Sequence, residues 1–182
     1  MAINFDYYGK QDGDTAAERT AEATAYFAQR LHETAWSAAS DANREKALVA
    51  ATQIIDGLNF KGYKHGVYTL LDGNSATDPS DIQAAEASQA LEFPRGADTE
   101  VPEAIRRACY EIAYALLDGK DPELELENLS VESMGYGQVR TGYSRNQVPI
   151  EHIINMVPSS VAWRLLRPFL RDGDAVKLSR VS

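Results

Sequence analysis

Histidine and cysteine supply most nucleophiles, bases and metal ligands in proteins, and this sequence uses both sparingly. His32, His65 and His152 are far apart, and none belongs to a cluster with metal-ligand spacing. Cys109, the single cysteine, falls among apolar residues in a helical pattern. A catalytic thiolate needs a base and an activating environment, so we expect Cys109 to be buried and unreactive.

Carboxylates at Asp118, Asp121 and Glu123 are close together in the sequence, as calcium ligands often are. They lack the alternating ligand positions and the closing glutamate of an EF-hand loop, which favours a solvated acidic loop. The Gly135-Tyr136-Gly137 break has no strand–glycine–helix context, so it is not a phosphate loop. No Ser/His/Asp set stands out. The sequence therefore predicts no catalytic residue, no cofactor and no metal, and hence a protein that is not an enzyme.

Charge is spread unevenly along the 182 residues, whose formal net charge is −9. Residues 72–103 and 118–132 are strongly acidic, whereas residues 161–182 carry an excess of Arg and Lys. An acidic body with a basic tail is unlike a nucleic-acid binder, whose affinity comes from neutralising phosphates. It suits a tail that docks on an acidic partner, although a merely solvated tail explains the charges equally well. No apolar run approaches the roughly 20 residues that span a bilayer, so no membrane association is expected.

One helix dominates the apolar pattern. Val101, Ile105, Ala108, Ile112 and Ala115 recur at spacings of three and four, which places them on one helical face. Pro102 suits a first turn, and Asp118-Gly119 forms a favourable stop. We therefore predict a core helix over 102–118, against which the other apolar segments pack.

The remaining pattern predicts a mainly α protein: a bundle of four to five helices with a β-hairpin and an extended C-terminal tail. Residues 1–18 are interpreted as a polar arm, and residues 62–88 as a turn-rich insertion loop that contains one helix from about 79. Thr20 is predicted to cap a helix that ends near Leu31. Trp36 is predicted to lie in the short connection that follows and to be buried in the core. Further helices are expected at 41–57 and 158–170, the latter interrupted near Pro168. A change of period predicts a hairpin over 126–143, and residues 172–182 form the tail.

Several pieces of the chain, taken in order, resemble proteins of tailed bacteriophages. They are Thr20-Ala21-Glu22-Ala23 with Tyr26-Phe27-Ala28-Gln29-Arg30-Leu31, Trp36, Ala47-Leu48-Val49-Ala50-Ala51-Thr52 with Ile55-Asp56, Gln89-Ala90-Leu91-Glu92-Phe93-Pro94-Arg95, Val101-Pro102, Leu116-Leu117-Asp118-Gly119, Ser130-Val131, Val157-Pro158 and Leu165-Leu166-Arg167-Pro168-Phe169-Leu170. The set covers residues 20–171 and is similar to the head–tail connector, or adaptor, family. The family is also often labelled a DnaT-like single-stranded-DNA-binding protein.

The resemblance implies a helical adaptor domain over 19–171 that assembles into a ring, usually of twelve copies, beneath the portal protein in the virion neck. Such a ring forms in the host cytoplasm, extends the channel for genomic DNA, and offers a platform for tail tube, nozzle or fibre proteins. By resemblance, the C-terminal segment grips the portal, and the hairpin meets a neighbouring subunit or the tail. The residues expected in these contacts are Arg167, Arg171, Lys177, Leu178 and Arg180 for the portal, and Met134, Tyr136, Val139, Arg140 and Tyr143 for the hairpin.

The two family labels imply different surfaces. A single-strand binder needs a cationic groove with aromatic platforms for the bases. Only Tyr63, Tyr68, Tyr136 and Tyr143 are expected to be exposed aromatics, and few basic residues accompany them. A channel that lets DNA pass is better served by an acidic or neutral wall, which repels phosphate. The composition favours the adaptor, while an interaction domain with no DNA role remains the third interpretation.

Overall fold

A computed structural model describes residues 5–73, 78–130, 133–136, 139–142 and 151–171. The protein is mainly helical, as the sequence predicts. Within the described residues the helices are α1 Ala16–Arg19, α2 Ala21–Phe27, α3 Thr34–Ala38, α4 Asp41–Asp56, α5 His65–Gly73, α6 Pro79–Ser88, α7 Glu103–Leu117, α8 Pro122–Ser130, α9 Glu151–Ile154 and α10 Ser160–Leu166, followed by a 3-10 turn at Arg167–Phe169. None of the helices in this part of the chain is long and apolar enough to cross a membrane.

Helix α7 is the centre of the core, as its apolar stripe predicts. It packs between α4 and α10, and its residues Ile105, Ala108 and Ile112 are fully buried. Helix α4 contributes Leu48, Ala51 and Ile55 at spacings of three and four. Because both neighbours present their own stripes, α7 is covered on two sides, which explains why Cys109 and Ala113 are also buried.

Helix α10 begins two residues after Pro158, with the Ser159 hydroxyl accepting a hydrogen bond from the Ala162 amide at 3.3 Å. Ala162 and Leu166 form its buried face, and Val161 is 48% exposed. The helix gives way to the 3-10 turn before Pro168, which is where proline disfavours a regular helix. The chain then runs antiparallel to the residues after α4, with a backbone bridge between Phe60 and Leu170.

The first helices differ from the prediction in their caps and ends. Thr15 caps the short helix α1 in a reciprocal box with Glu18, so the helical region begins at Ala16, four residues before Thr20. The Thr20 hydroxyl instead donates to the Ala16 carbonyl at 2.9 Å. Helix α2 ends at Phe27, and Leu31 lies in the loop beyond it with 83% of its surface exposed. Thr20 is at the N-cap position of α2 as predicted, although its side chain caps no amide there, and the predicted C-terminal boundary is wrong by about one turn.

Residues 5–18, predicted as part of a separate arm, are anchored to the core through Tyr7 and Tyr8. Tyr8 is 1% exposed, and its hydroxyl donates to the Asp56 carboxylate at the end of α4. Its amide donates to the Thr52 hydroxyl at 3.2 Å, and its ring meets Phe93 edge-on. Tyr7 is also buried. Two adjacent aromatic residues thus fasten this segment, because their burial removes a large apolar area from water.

Trp36 is buried as predicted, but it lies on a short helix, α3, rather than in a connection. Its ring stacks on Phe27 with the centroids 4.5 Å apart. Arg44 of α4 lies over the other part of the indole and donates from Nε to the Trp36 carbonyl at 2.9 Å. The side chain therefore joins α2, α3 and α4.

The range 62–88 is not a loop in its described part. It holds α5 and α6, which pack on each other, with Asp78 capping α6 through the Ser80 amide. The His65 amide donates to the Pro94 carbonyl at 3.0 Å, which attaches the pair to the segment before α7. Lys64 and Arg95 both pair with the Glu92 carboxylate at the same place.

The range 126–143 divides into helix and strand. Residues 126–130 belong to α8, so the predicted hairpin range begins too early. Strand β1, Ser133–Tyr136, pairs antiparallel with β2, Val139–Gly142, and Met134 lies opposite Thr141. Residues 131–132 and 137–138 lie outside the described residues. Tyr143 and the tail over 172–182 also lie outside them.

Candidate docking groove

An apolar groove opens where the C-terminal ends of α4 and α7 meet the start of α8 and the end of α9. It has a volume of about 480 Å³. Its lining is mainly apolar and comprises Ala50, Ile54, Leu58, Leu116, Pro122 and Met156, with Gln53, Gly57 and Asn155, and with Asp121 and Glu123 at one end. The groove exists because several helices stop here, leaving their last apolar residues without a covering element.

The chain turn between α7 and α8 shapes the acidic end of the groove. The Gly119 backbone has a φ of +84°, a left-handed conformation that ends α7 without a Cβ clash. The Asp121 carboxylate then accepts a hydrogen bond from the Glu123 amide at 3.0 Å, which satisfies a free donor of α8. Asp121 thus caps a helix, and the described residues contain no group of three or more His, Cys, Asp and Glu able to hold a metal ion.

A second, more polar cleft continues the groove and shares Leu58 and Asn155 with it. Its lining includes Arg167, Arg171, Trp163 and Glu151. The Trp163 indole N–H donates to the Glu151 carboxylate at 3.3 Å. Arg167 lies 3.9 Å from the same carboxylate, with 71% of its side chain exposed. With two arginines and one partly neutralised carboxylate in its lining, this cleft is called the basic cleft.

Apolar side chains are exposed around α8 and α9. Leu124 is 54% exposed, Ile154 51% and Met156 38%. Helices α8 and α9 pack against each other, so Leu124 and Ile154 belong to one region of the surface, next to the groove that Met156 lines. Exposed apolar surface of this kind is typical of a protein contact.

Cys109 and His65 lie outside this region and contact neighbouring groups in the fold. Cys109 is fully buried, and this burial raises the pKa of its thiol to about 12. The thiol contacts the Thr52 hydroxyl at 3.4 Å and the Leu48 carbonyl at 3.6 Å, which agrees with the predicted unreactive residue. His65 pairs through Nδ1 with the Gly96 carbonyl at 3.0 Å. Burial is the main cause that lowers the pKa of His152 below its ordinary value.

Of the residues predicted to bind the portal, Arg167 and Arg171 lie together at the basic cleft. Lys177, Leu178 and Arg180 lie outside the described residues. Met134 and Tyr136 are on β1, and Val139 and Arg140 on β2, with Tyr136 opposite Val139 and Arg140 opposite Gly135. Sequence reasoning missed Trp163 and Glu151 as lining residues, because neither stands out until α9 and α10 bring them together.

The chain matches no protein-family model, no curated protein and no solved structure. These comparisons therefore suggest no binding partner for the groove, and the resemblance to the phage adaptors remains a prediction.

Proposed function

We propose that this protein is a structural head-to-tail adaptor of a tailed bacteriophage, forming a ring beneath the portal in the virion neck and having no catalytic activity. The ring, of about the twelve copies that the resemblance implies, extends the DNA channel and carries tail tube, nozzle or fibre proteins. Genomic DNA passes through without sequence-specific contact.

The observation that supports this proposal best is that the apolar groove and the basic cleft adjoin each other, sharing Leu58 and Asn155. The groove is lined mainly by Ile54, Leu58, Leu116 and other apolar side chains. Apolar lining with a charged rim is the pattern of a protein interface. The exposed Leu124 and Ile154 add a second apolar area, which suits contact with a neighbouring subunit.

In this proposal, Arg167 and Arg171 meet the portal together with Lys177, Leu178 and Arg180 of the tail. The antiparallel pair at 133–142 serves as the contact with a neighbour or with the tail proteins, through Met134, Tyr136, Val139, Arg140 and the adjoining Tyr143.

Co-sedimentation with the portal ring encoded in the same genome tests the proposal, with electron microscopy of the sedimented particles. A symmetric ring beneath the portal is expected. Arg167→Glu with Arg171→Glu should abolish co-sedimentation while the far-ultraviolet circular dichroism stays unchanged. The matched control is Lys46→Glu with Arg107→Glu, which changes the net charge equally at two other exposed basic residues on α4 and α7. Absence of binding by the unaltered chain would refute the adaptor proposal.

A DnaT-like single-stranded-DNA binder is the second candidate, and one observation favours it. Trp163 lies beside Arg167 and Arg171, an arrangement that can stack a base and contact its phosphates. Glu151 opposes this, because its carboxylate lies in the same cleft and repels phosphate. Fluorescence anisotropy with a labelled oligothymidine separates the two candidates. Salt-sensitive binding that Trp163→Ala abolishes would favour the replication role, whereas the adaptor proposal expects no binding at physiological ionic strength.

A further inference from the structure

We propose that two copies of this chain pair with each other in the free protein, through the surface that contains the apolar groove and the basic cleft. Each copy places the carboxylates of its groove against the arginines of the other copy's cleft, about a two-fold axis that passes close to Leu58 and Asn155. The inference does not depend on the adaptor function, because it concerns the protein before any portal or tail component is bound.

Charges of opposite sign adjoin on this surface. Among the described residues, Asp121 and Glu123 line the groove, and Arg167 and Arg171 line the cleft. All four residues are exposed, so their charges are open to a partner. The groove and the cleft have two lining residues in common, and the negative and the positive groups therefore belong to one continuous surface.

Helix α10 adds a further arginine to the positive side of the surface. Arg164 is exposed and precedes Arg167 by three residues, which makes the two side chains neighbours on one helical face. Glu151, 3.9 Å from Arg167, is a single carboxylate and offsets only part of this charge. The cleft side therefore keeps a positive net charge, while the charged residues that line the groove are all acidic.

Opposite charges that adjoin on one surface make that surface complementary to its own copy. A two-fold axis between the two groups of charges brings the carboxylates of each subunit to the arginines of the other. The same favourable contact is then made twice in one interface, which a head-to-tail contact between two copies does not achieve. Complementary charges of this kind fix the relative orientation of the partners and exclude placements that bring like charges together.

Apolar side chains around the groove supply the attraction between the two copies. The groove offers Ile54, Leu58 and Leu116, which are only half-buried in the single chain, while Ile154 and Met156 are exposed on and after α9. In the pair, these exposed side chains of one copy contact the groove of the other, which removes apolar area of both from water. The unbranched side chain of methionine adapts well to an irregular groove.

The pairing has a consequence for assembly, and this consequence rests on the proposed function. Arg167 and Arg171 are the described residues that the adaptor proposal assigns to the portal, and in the free pair they are already engaged. Binding to the portal would therefore compete with the pair and separate it. A closed two-fold pair also has no free copy of this interface, so it cannot grow into larger assemblies through it before the portal is present.

Sedimentation equilibrium of the full-length chain tests the pairing, and we expect a species with twice the mass of the chain. Glu123→Arg and Arg167→Glu should each raise the dissociation constant at least about tenfold, whereas the two changes together should restore it, because they exchange the charges across the interface. The matched controls are Glu86→Arg on α6 and Arg107→Glu on α7, which change the net charge equally at exposed residues outside the groove and the cleft. They should leave the dissociation constant unchanged.

A chain that stays monomeric at every concentration up to about 100 μM would overturn the proposal. So would a double variant that dimerises no better than the single ones, because the two charges would then not face each other. A ring or another larger assembly of the free chain would also overturn the two-fold pairing, although it would agree with the adaptor function. Circular dichroism of every variant establishes that the helices are intact.

A cysteine near the axis tests the symmetry separately, because a residue beside a two-fold axis lies opposite its own copy. Asn155→Cys places a thiol at an exposed position that the groove and the cleft share, and Ala42→Cys, exposed on α4 outside both, is the control. Cys109 is buried in both variants. With oxidised glutathione, we expect Asn155→Cys to form a disulfide-linked dimer at least about tenfold faster than Ala42→Cys.

Equal rates of dimer formation in the two cysteine variants would refute the placement of the axis. Neither this experiment nor the sedimentation measurement uses a portal protein, so failure of the pairing and failure of the adaptor proposal are distinguishable.

Discussion

Replacing Gly9 with alanine should destabilise the fold far more than the same change at a glycine in an open loop. Gly9 has a φ of +79°, and an added Cβ would collide with the Tyr110 hydroxyl and lie 2.7 Å from its Cζ atom. The left-handed conformation costs an L-residue about 1–2 kcal/mol. Forcing an atom against a packed ring costs about 1–3 kcal/mol more. We therefore expect Gly9→Ala to lower the free energy of unfolding by about 2–5 kcal/mol.

Gly62 provides the matched control. Its φ is +74°, but an added Cβ there would meet nothing within 4 Å. Gly62→Ala should therefore show only the conformational part, about 1–2 kcal/mol. Urea denaturation followed by circular dichroism measures both variants, and the difference between them isolates the contact with Tyr110.

A double-mutant cycle with Tyr110→Phe tests the assigned contact directly. Removing the hydroxyl takes away the nearest atom, so Gly9→Ala should cost less in that background, with a coupling of about 0.5–3 kcal/mol. Equal losses for Gly9→Ala and Gly62→Ala, together with no coupling, would refute the reasoning. They would mean that residues 5–18 form a loose arm after all.

Three further predictions concern the core and its charges. Trp36→Ala should lower the free energy of unfolding by about 3–5 kcal/mol in urea denaturation, because it removes the stack on Phe27 from a fully buried site. Hydrogen bonds from Arg19 hold the pKa of Glu45 below its ordinary value of 4.5. The ionised pair therefore stabilises the fold above about pH 4.5, and this stabilisation is lost as the pH falls through the lowered pKa. Urea denaturation at pH 6 and pH 3.5 should show a smaller acid-induced loss in Glu45→Gln than in the unaltered chain. Cys109 should resist a thiol reagent at pH 8 and react only on unfolding, since burial raises the pKa of its thiol to about 12; rapid labelling of the folded protein would contradict its placement in the core.

The central architecture could be predicted because it rests on local periodicity. The stripe through Ile105, Ala108 and Ile112 identifies α7 directly, and α4 follows from the spacing of Leu48 and Ile55. The interruption at Pro168 follows from the geometry of proline alone. Each of these signals is contained in a few neighbouring residues.

Other features depend on contacts between distant parts of the chain, which no window of sequence contains. Tyr8 stands among polar residues in the sequence, which suggests an exposed arm. Its contacts with Asp56 and Phe93 form only in the folded chain. Glu111 looks like a solvated position on α7, yet it is 3% exposed and held by Arg30 at 3.0 Å and the Tyr26 hydroxyl at 2.7 Å. The docking groove is harder still, because it is formed by helix ends whose meeting depends on the whole fold.

The backbone bridge between Phe60 and Leu170 also constrains how the protein can be made. The face of α7 that α10 covers stays bare until residues 160–166 have been synthesised, and the bridge cannot form before residue 170 leaves the ribosome. Helices α4 and α7 can pair earlier, but their pairing leaves apolar surface open while synthesis continues. Long-range closure of this kind slows folding and extends the time during which a nascent chain can aggregate. A messenger truncated shortly before codon 160 should therefore yield a product that depends on chaperones to remain unaggregated.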